Sequence, residues 1–297
     1  TNIALVPMAR LERSIDYRST AWIELLAQLL FFGVGIPLAL AGLGAWAPLI
    51  GWWVQQSTNC VLYHRAARYR PGWHFERAEA VAMLRYGGGY ATSLWIWQLR
   101  RLANPLIVGR YLGAEAVGFV ALTVQIVTHL NFVATATYRL ATTALARVQH
   151  DLPRMTAAIT EGMPLQVMAS APFLVGFHLV APWAVPALLG AEWAGVMVVY
   201  PFIATMWLAH ALTNLHSSAL YVLGRHLHVA AYYLAHTLLL TVAAFALVPR
   251  YGLVGYGMAE LITLAGYVVL HAAVARTVGT PRYERALPLW LAAVLLL

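Results

Sequence analysis

Two adjacent arginines, Arg100 and Arg101, lie inside the otherwise apolar run SLWIWQLRRLANPLIVGRYLG. A guanidinium group binds phosphates and carboxylates through paired, charge-assisted hydrogen bonds, so such a pair is suited to holding an anionic group. The alternative is that an arginine pairs with a buried carboxylate or extends its charged end toward water. Glu260 is the candidate carboxylate, because it and Arg101 are predicted to lie at similar depths. Arg101 is the principal candidate for binding, and Arg100 is the second.

Arg101 belongs to a polar and aromatic face if this segment is a helix with about 3.6 residues per turn. The residues on that face are Tyr86, Tyr90, Ser93, Trp97, Arg101 and Asn104. Because ionisable side chains are costly in lipid, the face is predicted to line a watery cavity. Gln125 and His129 share one face of the next predicted helix and are predicted to line the same cavity.

The composition defines the environment of these residues. The sequence is 61% hydrophobic and 10% charged, whereas soluble domains carry about 25% charged residues. Its apolar stretches of roughly 20 residues are each long enough to cross a hydrocarbon core about 30 Å thick. We therefore predict an all-α, polytopic transmembrane helical bundle.

The net charge of +8 does not indicate a nucleic-acid partner, because the arginines are dispersed in short gaps between apolar runs. The single cysteine, Cys60, excludes an intramolecular disulfide.

Hydropathy predicts eight membrane spans and the beginning of a ninth near Leu287. The predicted spans are Thr20–Ala41, Gly44–Tyr63, Tyr86–Val108, Ala116–Tyr138, Gly162–Pro182, Ala194–Leu223, His228–Val248 and Leu253–Ala275. The third span is the least regular, since it contains the arginine pair and Pro105. Proline removes a backbone donor, so Pro105 is predicted to kink this helix or to end its regular part.

Arginine is concentrated in alternate connections between the predicted spans. The arginine-rich segments are the one before the first span and the connections around Arg68, Arg147, Arg225 and Arg282. The other connections carry only Arg110 and Arg250. The excess of positive charge on cytoplasmic loops therefore predicts that the arginine-rich connections face the cytoplasm.

The longest connection, about His64 to Arg85, is predicted to be an amphipathic cytoplasmic linker with a turn at Pro71 and Gly72. It is also the predicted boundary between two groups of helices. The sequence begins without methionine and ends within the apolar run LPLWLAAVLLL. We therefore expect the chain to be a fragment of a longer membrane protein.

Five segments, in their order and spacing, resemble the bacterial polysaccharide flippases of the multidrug/oligosaccharidyl-lipid/polysaccharide exporter superfamily, also called O-antigen or lipid-linked oligosaccharide translocases. The segments are VPMARLERSIDYRSTAWIELLAQ, ARYRPGWHFERAEAVAMLRYG, NPLIVGRYLGAEAVGFVAL, LLGAEW and VPRYGLVGYGMAE. The resemblance implies two six-helix lobes around a central cavity, with the first four helices missing here. Residues 1–64 would then hold the last two helices of the amino-terminal lobe, and 65–85 the linker. Residues 86–276 would form the carboxy-terminal six-helix lobe, and 277–297 would begin a further helix.

The resemblance also implies a function. It suggests a flippase of the bacterial inner membrane that moves a polyprenyl-pyrophosphate-linked oligosaccharide by alternating access, for lipopolysaccharide O-antigen or other cell-surface polysaccharide biosynthesis. The implied substrate-binding residues are Arg101, Arg100, Trp97, Asn104, Tyr90, Gln125 and His129. Glu260 is the implied coupling or ion-pair residue, with protons or sodium as candidate coupling ions. We expect membrane lipids as partners, a monomer, no cofactor or metal, no nucleic acid and no enzymatic activity.

Two alternative functions are weighed against this one. A cation-coupled drug or metabolite antiporter of the same superfamily is expected to need carboxylates in its cavity, where the third span offers arginines. A membrane-embedded glycosyltransferase or polymerase is expected to need positioned acid, base or metal groups. The predicted external connections are short, and the intramembrane histidines have no spacing typical of a zinc site.

Overall fold

The computed structural model describes residues 2–70, 72 and 75–297, without the side chains of Asn2 and Arg139. Pro71 of the predicted turn lies outside these residues. The described chain is helical and contains no β-strand. Its α-helices are α1 (Leu5–Arg13), α2 (Tyr17–Leu40), α3 (Trp46–Ala66), α4 (Arg77–Leu99), α5 (Gly109–Leu130), α6 (Phe132–Arg147), α7 (Leu152–Leu189), α8 (Gly195–Val222), α9 (His226–Ile262), α10 (Tyr267–Thr277) and α11 (Ala286–Leu295).

Five helical stretches of the described chain are long and apolar enough to cross a membrane. They are Tyr17–Leu40, Arg77–Leu130, Leu152–Leu189, Ala191–Val222 and His226–Thr277. Two of them are interrupted by a glycine with a left-handed φ, Gly113 at 86° and Gly252 at 60°, a conformation that glycine adopts without steric cost. These glycines lie where the sequence predicts the connections after the third and seventh spans. The structure confirms the all-α, polytopic membrane bundle.

Three elements depart from the predicted spans. The predicted span Ala116–Tyr138 is not one helix, because Asn131 takes a non-helical conformation between α5 and α6. Helix α3 is not among the five apolar stretches, since the polar run at residues 55–59 lowers its mean hydropathy. Helix α4 begins at Arg77, inside the predicted linker, and Glu79 in its first turn suits the positive end of the helix dipole.

The residues up to Glu76 form one compact unit. In it, α2 packs against α3, and α1 contacts both helices. Two polar side chains of α2 both meet α3. The Gln55 amide donates a hydrogen bond to Gln28 at 2.7 Å, and the Tyr63 hydroxyl donates one to Glu24 at 3.3 Å.

The second compact unit is Arg77–Leu297, and α8 lies at its centre. Helix α8 contacts α5, α6, α7, α9 and α10. Its buried side chains include apolar Tyr200, Ile203 and Leu208 and a series of small polar residues. A helix buried on nearly every side is expected at the middle of a membrane bundle. The assignment of the two units to two lobes of a longer transporter stays a prediction.

Candidate functional site

The segment that follows α4 is where the backbone departs most from regular helix. Regular α-helix ends at Leu99, a 3₁₀-helix covers Arg100–Leu102, and a π-helix covers Asn104–Val108. Pro105 has no N–H to donate to the carbonyl of Arg101 four residues earlier. The regular part of the helix thus ends ahead of Pro105, as predicted. Single π-helical turns inside helices are frequent at functional sites.

The 3₁₀ turn decides where the two arginine side chains lie. A 3₁₀-helix has about 3.0 residues per turn instead of about 3.6, so side chains beyond Leu99 rotate away from the face projected on a regular helix. Arg100 is buried, with 8% of its side chain exposed, whereas Arg101 is exposed. The two neighbouring arginines therefore lie in different environments.

Arg100, and not Arg101, is the partner of Glu260. The Nη2 atom of Arg100 donates a hydrogen bond to Oε2 of Glu260, whose side chain is fully buried. The Arg100 guanidinium carbon also lies 5.2 Å from the centroid of the Trp97 ring, within the range of a cation–π interaction. The alternative that an arginine pairs with Glu260 therefore holds for Arg100 and not for Arg101. A buried charge is tolerated when it is paired and hydrogen-bonded, which is the arrangement of Arg100.

A pocket of about 360 Å³ opens beside this ion pair. Its lining residues are Arg100, Arg101, Asn104, Val120, Ala121, Val124, Gln125, Thr128, His129 and Tyr256. Five of the predicted site residues, the two arginines with Asn104, Gln125 and His129, therefore meet around one space. The volume falls within the roughly 300–1,000 Å³ that is usual for ligand pockets.

Helix α5 supplies one wall of this pocket through residues that recur at helical spacing. Gln125 and His129 are four residues apart, as their predicted common face requires. Asn104 joins the wall to the arginine segment, because its Nδ2 atom donates to the carbonyl of Val117 at 3.2 Å. Its Oδ1 atom is buried and has no hydrogen-bond partner in the described chain. That oxygen is therefore an unsatisfied acceptor beside the pocket.

Two polar residues of the pocket, Thr128 and Tyr256, were not among the predicted site residues. Thr128 lies three residues from Gln125 on α5, and its hydroxyl donates to the Val124 carbonyl at 2.6 Å. Tyr256 is one helical turn before Glu260 on α9. Helical spacing from residues already singled out would have found both.

Tyr90 and Trp97, two further predicted site residues, lie outside the lining of the pocket. The Tyr90 ring packs against Tyr221 with centroids 4.9 Å apart, and the Trp97 ring lies 5.0 Å from that of Tyr233. Ser93 on the same face is fully buried and donates to the carbonyl of His226. This part of the predicted cavity face is instead an interface with α8 and α9, because aromatic and small polar side chains serve both roles.

A family model for polysaccharide biosynthesis proteins matches residues 1–199. The chain belongs to this family. The matched residues include Arg100, Arg101, Asn104, Gln125 and His129, whereas Tyr256 and Glu260 lie beyond them. Its apolar helices make the chain a multi-pass membrane protein of this family.

Individual relatives are distant and longer. The chain is 26% identical over 198 residues to the amylovoran biosynthesis protein AmsL of Erwinia amylovora, covering 66% of this chain and 49% of that protein. It is 25% identical over 224 residues to the teichuronic acid biosynthesis protein TuaB of Bacillus subtilis, covering 72% and 45%. It is 24% identical over 191 residues to the succinoglycan biosynthesis transport protein ExoT of Rhizobium meliloti, covering 64% and 38%. The chain thus spans less than half of each relative's length. No solved structure matches it.

Proposed function

We propose that this chain is part of a flippase that moves a polyprenyl-pyrophosphate-linked oligosaccharide across the bacterial inner membrane by alternating access. Membership of a polysaccharide biosynthesis family and the name of the relative in Rhizobium meliloti, a transport protein, support a role in transport. The lipid-linked cargo is inferred from the chemistry of the pocket beside α5.

The observation that carries the proposal is that the Arg101 side chain is exposed and lacks a carboxylate partner within the described residues. This side chain lines the pocket. Within the described residues, no carboxylate oxygen lies within 4.0 Å of its guanidinium nitrogens. A guanidinium group left unpaired inside a membrane protein indicates an anionic ligand, and a pyrophosphate matches its paired donors. Asn104, Gln125 and Thr128 offer hydrogen bonds to sugar hydroxyl groups.

Arg100 supplies the second positive charge and a means of coupling. In the structure, Arg100 forms an ion pair with Glu260. A phosphate that binds Arg100 competes with Glu260, which is fully buried and would lose its counter-charge. Uptake of a proton by Glu260 would remove that penalty, because a neutral carboxyl group is far cheaper to bury than a carboxylate. Glu260 is accordingly the proposed coupling residue.

The charge of the pocket favours this cargo over the alternatives. None of the ten lining residues is acidic, and two are arginines. A cationic drug would therefore meet repulsion where an antiporter offers carboxylates. For a glycosyltransferase or polymerase, the lining contains no carboxylate or lysine, and only His129 and Tyr256 are of residue types that serve as general acid or base. Transport is the better-supported function.

Glycan export by cells that carry the full-length protein tests the proposal. Arg101→Ala should abolish export without lowering the amount of protein in the membrane, because Arg101 is exposed and unpaired. Arg101→Lys should restore export in part, since the charge remains while the paired hydrogen bonds are lost. Arg110→Ala is the matched control, because Arg110 is also exposed but does not line the pocket. Normal export by Arg101→Ala would refute the proposed role.

A further inference from the structure

A long groove runs along the seam between α7 and α11. At one end, a pocket of about 540 Å³ is lined by Thr160, Glu161 and Pro164 of α7 and by charged residues of the segment before α11. A second pocket of about 350 Å³ shares Met168 and Leu289 with the first and continues to Val175 and Leu296. The two pockets form one surface, here called the α7–α11 groove, that is polar at one end and apolar along the rest.

The polar end of the α7–α11 groove carries two charges of each sign. Arg282 and Arg285 line it together with Glu161 and Glu284, and all four side chains are exposed. Within the described part of the chain, none of the four has an opposite charge within 4.0 Å. Two unpaired cations and two unpaired anions around one pocket match a ligand that carries both a negative and a positive group.

The backbone at this end is held in place and offers a further acceptor. The N–H of Arg282 donates to Oγ1 of Thr160 at 3.2 Å, and Oγ1 of Thr156 donates to the carbonyl of Val278 at 3.1 Å. These bonds fix the charged segment against α7. Pro164 has no N–H for the Thr160 carbonyl, which therefore lacks its usual helical donor. In a membrane, such a carbonyl needs another donor.

The length of the α7–α11 groove suits an acyl chain. Glu161 and Val175 are fourteen residues apart on α7, which corresponds to roughly 21 Å at about 1.5 Å per residue. Half of a hydrocarbon core about 30 Å thick is shorter than this. The groove is lined below its polar end by Leu165, Met168 and Leu289. An acyl chain can lie along it while the headgroup stays level with the arginines.

We propose that the α7–α11 groove binds a zwitterionic phospholipid of the phosphatidylethanolamine type. Its phosphate lies between Arg282 and Arg285, and its ammonium group donates to Glu161, Glu284 and the Thr160 carbonyl. Phosphatidylglycerol has no cation for the two glutamates, and the quaternary ammonium of phosphatidylcholine has no N–H to donate. This site is separate from the pocket of the transported substrate, and it does not depend on what that substrate is.

Native mass spectrometry of the purified full-length protein tests this site. The protein is stripped of co-purified lipid and equilibrated with equimolar phosphatidylethanolamine, phosphatidylglycerol and phosphatidylcholine. The wild type should retain about tenfold more phosphatidylethanolamine than either competitor. Arg282→Ala with Arg285→Ala should lose this retention. Glu161→Gln with Glu284→Gln should keep a bound phospholipid but lose the preference for phosphatidylethanolamine.

The matched control is Arg225→Ala with Arg276→Ala, which removes two exposed arginines that do not line the α7–α11 groove. Its retention should equal that of the wild type, and gel filtration and circular dichroism should show all variants folded. Equal retention of the three lipids by the wild type would overturn the proposal. So would retention in the variant lacking Arg282 and Arg285 that matches the wild type. Neither outcome involves glycan export, so the proposed transport function is tested separately.

Discussion

The buried ion pair predicts a large and specific effect on stability. Arg100→Met leaves Glu260 fully buried without its counter-charge, and Glu260→Met likewise leaves the buried Arg100 without its counter-charge. Removing one partner of a buried pair typically costs about 3–5 kcal/mol. For a unit of this size, 1 kcal/mol corresponds to about 2–4 °C in melting temperature. Each single variant should therefore melt roughly 6–20 °C below the wild type.

The double variant Arg100→Met with Glu260→Met should recover most of that loss. Replacing a buried ion pair by apolar side chains of similar volume is often neutral or stabilising. Arg101→Met is the matched control, because it makes the same change at the exposed neighbour and should leave the melting temperature unchanged. Thermal unfolding of the purified full-length protein, followed by tryptophan fluorescence, measures all four. A double variant whose melting temperature falls by the sum of the two single decreases would refute the pairing.

Three further outcomes follow from the structure. Cysteines placed near Arg68, Arg147, Arg225 and Arg282 in a Cys60-free background should be labelled only from the cytoplasm; outside labelling at two or more of these loops would overturn the topology. Tyr283→Phe should lower stability by about 1–3 kcal/mol, with exposed Tyr251→Phe as the neutral control in the same melting assay. The reason is that the Tyr283 hydroxyl bridges Nε2 of His216 at 2.7 Å and Nδ1 of His271 at 2.8 Å. Burial raises the pKa of Tyr283 to about 12, so this hydroxyl stays protonated. Hydrogen bonds from the Ser19 hydroxyl and backbone N–H lower the pKa of Asp16 below 3.8. The stability that this helix cap contributes should therefore be present above pH 3.8 and be lost as the pH falls through the lowered pKa. The variant Asp16→Asn should not show this loss.

Local spacing was enough to predict much of the pocket. Gln125 and His129 are one turn apart on a helix that the structure keeps regular, so their common face was correct. The irregularity at Pro105 followed from its missing N–H. The breaks at Gly113 and Gly252 coincide with gaps between apolar runs, which is why the predicted connections were close to the observed ones.

The roles of the two arginines were not predictable from spacing alone. A regular period of about 3.6 residues was assumed from Tyr86 to Asn104, whereas the 3₁₀ turn at Arg100–Leu102 rotates the side chains that follow. Arg100 consequently pairs with Glu260 while also lining the pocket, and Arg101 lines the pocket. Trp97 was misplaced for another reason. An aromatic ring suits both a cavity wall and a helix interface, and only the position of α8 and α9 decides between them.

The affinity of the purified full-length protein for a polyprenyl-pyrophosphate-linked oligosaccharide tests the central proposal most directly. Loss of a hydrogen bond to a charged group costs about 1.5–3 kcal/mol, so Arg101→Ala should bind this ligand about 10- to 150-fold more weakly than the wild type. Arg101→Lys should be intermediate, and Arg110→Ala should bind as the wild type does. The uncharged polyprenol should bind equally to the wild type and to Arg101→Ala. Equal affinity of the wild type and Arg101→Ala for the pyrophosphate ligand would contradict the account.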